Sequence, residues 1–454
     1  MPFQRARRSL ATLIIALATA LAAPLPALAS RLPTDVVYGK AESEQAALTD
    51  ADKPDITARA AIVVGKDGTV YFERAADAEV KIASITKVMT AIVALEHAQL
   101  TDVVTVDHAA ATVGGSTADL KEGDTLTMDV ALKALMIPSG NDAAMAIATT
   151  VGKKIDPSSP DPFQTFINAM NDTAAKLGME HSVFANPSGL DFDQWAGTFH
   201  STARDVATMW AHAMKNETFR AVVADTDRMI TVKSADGSNR TIELDWHNDL
   251  LGTHGNIGAK TGTTDEAGYC FVGAYAQDTG GEAYIVNLNS ETDQKRYDDS
   301  AALADWLYGH MVAYPLVTSE RATAGGSPLV ARVAHADWSD RAVDVVAKQA
   351  DKKVGIFSLA GEVTEQADLP QSVSGDVKAG QKLGTLTLSQ DGREVGSVEL
   401  VSAEDEPAPN PLQWVLVQLD RLVRAVQGQP TVAASEQLFQ TPEAGEVLAG
   451  NAAA

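Results

Sequence analysis

The spacing of apolar positions changes several times along the chain. Residues 61–64 (Ala-Ile-Val-Val) and 69–72 (Thr-Val-Tyr-Phe) are short apolar runs joined through Lys66-Asp67-Gly68. Two such runs around an Asp-Gly predict a β-hairpin. From Ser84 the period becomes helical, with Val88, Ala91, Ile92 and Leu95 on one face. Ala- and Leu-rich residues 126–152 predict helices, as do 163–177, 201–215 and 299–313. Residues 268–289 alternate as strands, with Asp278, Gly280 and Gly281 at the turn. Strands, then helices, then strands again predict a mixed α/β domain whose sheet draws on both of its ends.

The text changes at Thr323-Ala324-Gly325-Gly326-Ser327. Beyond it, short apolar runs such as Val354-Gly355-Ile356-Phe357 and Gly384 to Leu388 alternate with turns such as Asp391-Gly392. These predict a small all-β domain over 320–405, after a first domain over 30–315. Residues 406–411 read as a Pro-rich linker. Residues 412–427 predict an amphipathic helix. Leu412, Val415, Leu416, Leu419, Leu422, Val423 and Val426 form its apolar stripe, Trp414 lies near its start, and Arg421 and Arg424 are on the other side. One reading lays this helix in a membrane interface; the other packs it on its own domain or a partner. The remainder, 429–454, is Ala-, Glu- and Gly-rich and predicts a disordered tail.

Composition narrows the function. The chain has 454 residues, 45% of them apolar and 21% charged, which suits packed domains rather than a disordered chain. A formal charge of −24 repels phosphate backbones and argues against a nucleic-acid partner. A single cysteine, Cys270, excludes an internal disulfide and Cys-based metal centres. Its apolar strand setting predicts an inert core thiol. The histidines lack metal-ligand spacing, so no metal or cofactor is expected. Residues 1–29 read as a secretory signal peptide. Arg5, Arg7 and Arg8 precede an apolar run from Leu10 to Ala23, and Ala27-Leu28-Ala29 is a small-x-small cleavage site. The expected workplace is outside the cytoplasmic membrane, in the periplasm or at the cell surface.

Three short motifs carry candidate chemistry. Ser84-Ile85-Thr86-Lys87 puts a hydroxyl and an amine on one helical face. A serine is a weak nucleophile until a base takes its proton, and a lysine serves only if its charged form is disfavoured. Ser139-Gly140-Asn141, after a proline and between two Ala-rich helices, can present a hydroxyl and a carboxamide to a cleft. Lys260-Thr261-Gly262 opens a strand. Its lysine and threonine can hold a carboxylate, and its glycine leaves room for another backbone. An extended peptide can pair along such an edge. Each motif taken singly also fits an ordinary cap, turn or strand start.

Taken together and in this order, Ser-x-x-Lys, Ser-x-Asn and Lys-Thr-Gly are the signature set of serine penicillin-recognising enzymes. The chain resembles the low-molecular-weight penicillin-binding D-alanyl-D-alanine carboxypeptidases over roughly residues 33–405. Ala83 to Ala91, Ser139 to Ala144, Phe184 to Leu190, Ser201 to Asp205, Gly258 to Thr263 and Val377 to Leu386 carry the likeness. The resemblance implies a transpeptidase-like fold, an antiparallel sheet with a helical block, followed by the small β domain. It implies a peptidoglycan stem peptide as substrate and β-lactams as inhibitors. Ser84 would be the nucleophile and Lys87 its base, kept partly neutral by Lys260. Ser139 would relay a proton to the leaving D-alanine, and Asn141 would orient Lys87 and the substrate amide. Lys260 and Thr261 would hold the terminal carboxylate beside Gly262, with Arg296 as a further carboxylate partner. The backbone N–H groups of Ser84 and Thr263 would receive the oxyanion.

Two other readings share these motifs. A β-lactamase of the same superfamily would add a glutamate for deacylation, but Glu180, Glu217 and Glu243, the glutamates between Ser139 and Lys260, lack the Glu-x-x-x-Asn setting. A non-catalytic wall-binding protein on this fold would be expected to have lost a motif residue, and none is lost.

Overall fold

A computed structural model describes residues 35–439, apart from positions 41, 46, 193, 194 and 198. The expected signal segment, 1–29, lies outside the described residues. Strands β1 (Val36–Val37), β2 (Ala60–Gly65) and β3 (Val70–Arg74) precede most of the helices. Four short strands, β4 (Val103–Thr105), β5 (Thr125–Thr127), β6 (Met229–Lys233) and β7 (Asn239–Glu243), form a small sheet of their own. Strands β8 (Asn256–Thr264), β9 (Gly268–Gln277) and β10 (Gly281–Ser290) then complete the main sheet, ordered β1-β3-β2-β10-β9-β8. Every pairing in it is antiparallel.

This sheet is buried on both faces, so β9 and β10 are buried at consecutive positions and the alternation expected over 268–289 does not separate a wet face from a dry one. In β9, Cys270, Val272 and Ala274 join one core, while Phe271 and Tyr275 join the other. The first core is shared with helices α1 (Lys87–His97), α2 (Met128–Met136), α3 (Asn141–Ile155), α4 (Pro162–Leu177), α5 (Ala203–Ala213) and α6 (Glu217–Val223). Helix α7 (Asp293–Gly309) covers the opposite face through Leu303, Ala304 and Leu307. Helix α1 is buried at every position from Lys87 to Ala94, as befits a helix at the centre of a block.

The helix expected over 299–313 is displaced. It begins at Asp293, behind a Thr292 N-cap, and ends at Gly309. Residues Met311–Pro315 form strand β11, because the following Val312 and Tyr314 fit a pleated surface facing a second core. That core belongs to the later strands, β12 (Leu329–His335), β13 (Ala342–Ala347), β14 (Lys353–Phe357), β15 (Val363–Asp368), β16 (Ser372–Val373), β17 (Lys382–Gln390) and β18 (Arg393–Ser402). Strand β14 pairs with β11, and the others form one sheet ordered β15-β17-β18-β13-β12-β16.

Helix α8 (Pro411–Val426) starts with Asn410 and Gln413 capping each other reciprocally and with proline at its first turn. The disordered tail expected from 429 is corrected over part of its length. Glu436–Gln437 form a short strand, β19, antiparallel to β12, and Phe439 packs against the second core. An exposed strand edge offers unpaired N–H and C=O groups that any backbone can fill, so composition does not reveal this pairing. Residues 440–454 lie outside the described residues.

Candidate active site

Ser84 sits on a 3-10 turn, Ala83–Thr86, that leads directly into α1. Ala83 is forced to φ +47°, a left-handed conformation that costs a non-glycine residue energy and marks a constrained turn. Lys87 Nζ lies 2.8 Å from Ser84 Oγ, 2.7 Å from Asn141 Oδ1 and 3.0 Å from the Ser188 carbonyl oxygen. Two of these partners are pure acceptors, while the serine hydroxyl can donate. A neutral amine has two N–H groups and one lone pair, so the three contacts fit it with the lone pair turned toward Ser84.

The electrostatics favour that form. Lys87 is 0% exposed, and burial pulls its ammonium down to about 7, against a smaller opposing pull from the Asp142 carboxylate. Desolvation is the first cause, and repulsion between Lys87 and Lys260 disfavours the charged form of both amines. Lys260 is held well below the ordinary lysine range by burial first, then by Lys87 and Arg296.

Asn141 opens α3, and its Nδ2 donates to the Gly114 carbonyl at 2.9 Å, which leaves Oδ1 turned to Lys87. Ser139 stands just before it at φ +61°. Its hydroxyl accepts from Lys260 Nζ at 2.9 Å, so the second and third motifs meet across the cleft. Asp142 braces this corner. Its carboxylate accepts from the backbone N–H of Ala118, Leu120 and Ala143 at 2.8–3.0 Å.

Strand β8 runs against the nucleophile turn. A Cβ on Gly262 would lie 2.7 Å from the Ile82 carbonyl oxygen and 3.1 Å from the Ser84 nitrogen, so only glycine permits this approach. Gly189 is equally constrained on the other side, at φ +84° with the Ala83 carbonyl 1.9 Å from a would-be Cβ. The loop around it is held by Asn186, whose Oδ1 accepts from the Ser188 and Gly189 N–H groups at 3.1 and 2.7 Å. Motif reasoning did not single out Ser188, the third partner of Lys87. It lies within Phe184 to Leu190, one of the segments that carried the resemblance, but that turn-forming text assigned the serine no role.

Arg296, near the start of α7, reaches the same strand. Its Nη1 donates to Thr263 Oγ1 at 2.6 Å, and its Nη2 pairs with Asp293 at 2.6 Å and donates to Tyr297 Oη at 3.2 Å. All nine residues picked out by sequence thus gather on four neighbouring segments, the turn into α1, the start of α3, β8 and the start of α7. Ser84, Asn141 and Thr263 among them line a cleft of ≈ 480 Å³. Cys270 is fully buried on β9, and burial pushes its thiol up to about 12, which makes it inert as a nucleophile.

Comparison with known proteins agrees with this geometry. The family model described as D-alanyl-D-alanine carboxypeptidase, peptidase S11, matches residues 47–292. The D-alanyl-D-alanine carboxypeptidase DacF of Bacillus subtilis strain 168 is 25% identical over 359 residues, 77% of this chain and 85% of that protein. The D-alanyl-D-alanine carboxypeptidase of Streptomyces sp. strain K15 is 34% identical over 254 residues, covering 54% and 84% of the two chains. The crystal structure of the Streptomyces K15 DD-transpeptidase superposes with a TM-score of 0.52 at 33% identity, over 56% of this chain and 98% of that one. A serine and a buried lysine joined by a serine–asparagine corner and a lysine-bearing strand, over a matched span of this extent, mark the chain as a member of the D-alanyl-D-alanine carboxypeptidase family.

Proposed function

We propose that this chain is a serine D-alanyl-D-alanine carboxypeptidase that removes the terminal D-alanine from peptidoglycan stem pentapeptides through an acyl-enzyme on Ser84. One observation carries the reading: a fully buried lysine amine 2.8 Å from the serine hydroxyl, with acceptors on its other two sides.

The peptide lies along β8 with its terminal carboxylate beside Lys260, Thr261 and Arg296. A docked carboxylate favours the protonated form of Lys260 and so restores the charge that burial removes. Lys87 takes the Ser84 proton as Oγ attacks the carbonyl carbon of the penultimate D-alanine. The oxyanion is received by the backbone N–H groups of Ser84 and Thr263; donors of this kind are worth about 10²–10³ in rate. Asn141 holds Lys87 and the substrate amide. The proton passes through Ser139 to the leaving D-alanine amine as the C–N bond breaks. Water then attacks the ester, Lys87 again accepts a proton, and Ser84 is released. A β-lactam acylates the same oxygen.

The place of action is proposed to be outside the cytoplasmic membrane, with helix α8 lying on the membrane surface. Its apolar stripe is exposed, and its polar stripe faces the protein. The small β domain, 320–405, is proposed to hold that helix apart from the catalytic domain.

Mass spectrometry after brief exposure to a D-Ala-D-Ala pentapeptide tests the assignment. Free D-alanine and an adduct on Ser84 are expected, and neither with Ser84→Ala. D-alanine release that survives Ser84→Ala would overturn it, as would rapid turnover of penicillin in place of a long-lived adduct.

A further inference from the structure

A groove of ≈ 450 Å³ lies where α4 and α5 meet the β2–β3 hairpin, and it shares no residue with the Ser84 cleft. Val64, Val70 and Leu177 form apolar walls, each half-buried, so part of each still meets water. Lys66, Lys176, Arg204 and Lys215 line the groove together with His212, and no aspartate or glutamate does. On a chain with 60 acidic and 36 basic residues, this reverses the average. The Ser84 cleft, by contrast, carries Asp191, Asp265 and Glu266, and the cavity beside β14 carries Asp67, Asp278, Glu282 and Glu394. Some of the basic groups are already occupied. Arg204 pairs with Glu73 and Asp77, Lys66 with Glu282 at 2.9 Å, and His212 stands 3.7 Å from Glu96. Lys176 and Lys215 are exposed and form no ion pair among the described residues. Lys176 lies in the last turn of α4, and Lys215 just past the end of α5. A helix C-terminus favours a cation, which accounts for where each lysine sits. It does not account for the exclusion of carboxylates from the groove they share.

We propose that this groove docks an acidic, amphipathic segment of a partner protein, with apolar side chains against Val64, Val70 and Leu177 and carboxylates at Lys176 and Lys215. Charge complementarity selects the sign of the occupant. The formal charge of −24 repels an acidic chain from a distance, but such fields decay within about 8 Å at physiological salt, so the local basic rim governs contact. The apolar walls select a peptide over a phosphate-bearing polymer, which has no apolar side chains to bury. The shape points the same way. A recess between two helices and a hairpin receives the apolar face of a segment, as in helix-in-groove recognition, whereas a flat lipid surface does not enter it. The inference is independent of the Ser84 reading, because none of the residues it uses touches that cleft.

The probe is the fluorescein-labelled peptide Glu-Glu-Leu-Glu-Glu-Leu-Leu-Glu-Glu-Phe-Leu-Glu, whose apolar residues recur at helical spacing. Its binding to the full chain is followed by fluorescence anisotropy. Saturable binding is expected at low salt, weakening as salt screens the exposed lysines. Serine in place of the leucines and phenylalanine should weaken binding by about tenfold or more, since the apolar burial is lost. Lys176→Glu with Lys215→Glu should weaken it by about tenfold, the scale of a few exposed charge pairs. That variant should acylate with penicillin as the wild type does, which reports that it is folded. Absence of saturable binding by the wild-type protein overturns the proposal. So does equal binding of the serine-substituted peptide, or displacement of the probe by inorganic polyphosphate as readily as by unlabelled peptide. Either would make the groove a general anion trap, and both comparisons need the wild-type protein alone. Undiminished binding by the double variant would put the peptide elsewhere and overturns the proposal as well.

Discussion

Lys87 shows how a residue acquires a property its type does not have. Its amine is enclosed by the Ser84 hydroxyl, the Asn141 carboxamide and the Ser188 carbonyl, and burial brings its protonation to about 7. A base must be unprotonated to act, so the acylation rate by penicillin should fall below pH 7, approaching tenfold per unit of pH. Lys87→Ala should lower that rate by about 10²–10⁴ with the fold retained, as seen by stopped-flow acylation alongside circular dichroism. A rate that stays flat down to pH 5 would remove Lys87 as the base. The serine–lysine spacing and the three motifs were legible in the sequence because helical geometry brings positions three apart onto one face. Ser188 was not, because it acts through a carbonyl that every residue possesses. Asp142 was hidden for a related reason: its partners are backbone N–H groups, two of them, from Ala118 and Leu120, in a loop more than twenty residues away.

At the scale of elements, helix α8 is the clearest case of a pattern whose direction is invisible in sequence. Its amphipathic spacing reads off directly, but the side that meets the protein does not. Val417 is the buried position, and Asp420, Arg421 and Arg424 follow it on the inward stripe. Asp420 accepts from the Ser339 hydroxyl at 2.5 Å, and Arg421 donates to the carbonyls of Ala336 and Trp338. Eight large apolar side chains on the helix, from Leu412 to Val426, are left exposed. Among the described residues no helix is long and apolar enough to cross a membrane. An exposed apolar stripe on a folded protein is the form of an interfacial helix. Leu416→Glu with Leu419→Glu should abolish co-flotation of the protein with anionic phospholipid vesicles and leave penicillin acylation intact; undiminished flotation would discard the anchor. Point substitutions are the better instrument here, since removing residues 411–454 would also strip β19 from the edge of β12.

Across the whole molecule, the two cores are joined by strands that serve both. In β14, Ile356 packs in the second core, while Phe357 packs in the core beneath α7. Phe357 is 2% exposed and stacks edge-on with Tyr71 at 4.9 Å and Trp306 at 5.6 Å between ring centres. Arg393, at the β17–β18 turn, donates to the Thr69 hydroxyl and the Asp67 carbonyl at the β2–β3 turn. Phe357→Ala should therefore cost about 3–5 kcal/mol, read from the midpoint of urea unfolding by tryptophan fluorescence. Because Phe357 anchors β14, a strand of the second core, in the core beneath α7, its loss should also separate the unfolding of the two halves. An unchanged midpoint would show that the aromatic cluster does not couple them.

The sequence by itself determined the candidate reactive groups, the helices, a sheet drawing on both ends of its domain and the all-β region, because each is written in local spacing: three or four residues for a helix face, two for a strand, and the few residue types able to attack, relay or hold charge. Tertiary structure alone decided the rest. It selected burial as the first cause of Lys87's neutrality, turned α8's apolar stripe outward, paired Glu436–Gln437 with β12, and brought Lys176 and Lys215 to one groove. Each of these depends on what lies opposite a residue in space. Solvation, strand-edge pairing and charge proximity act across distances that have no counterpart in the order of the chain.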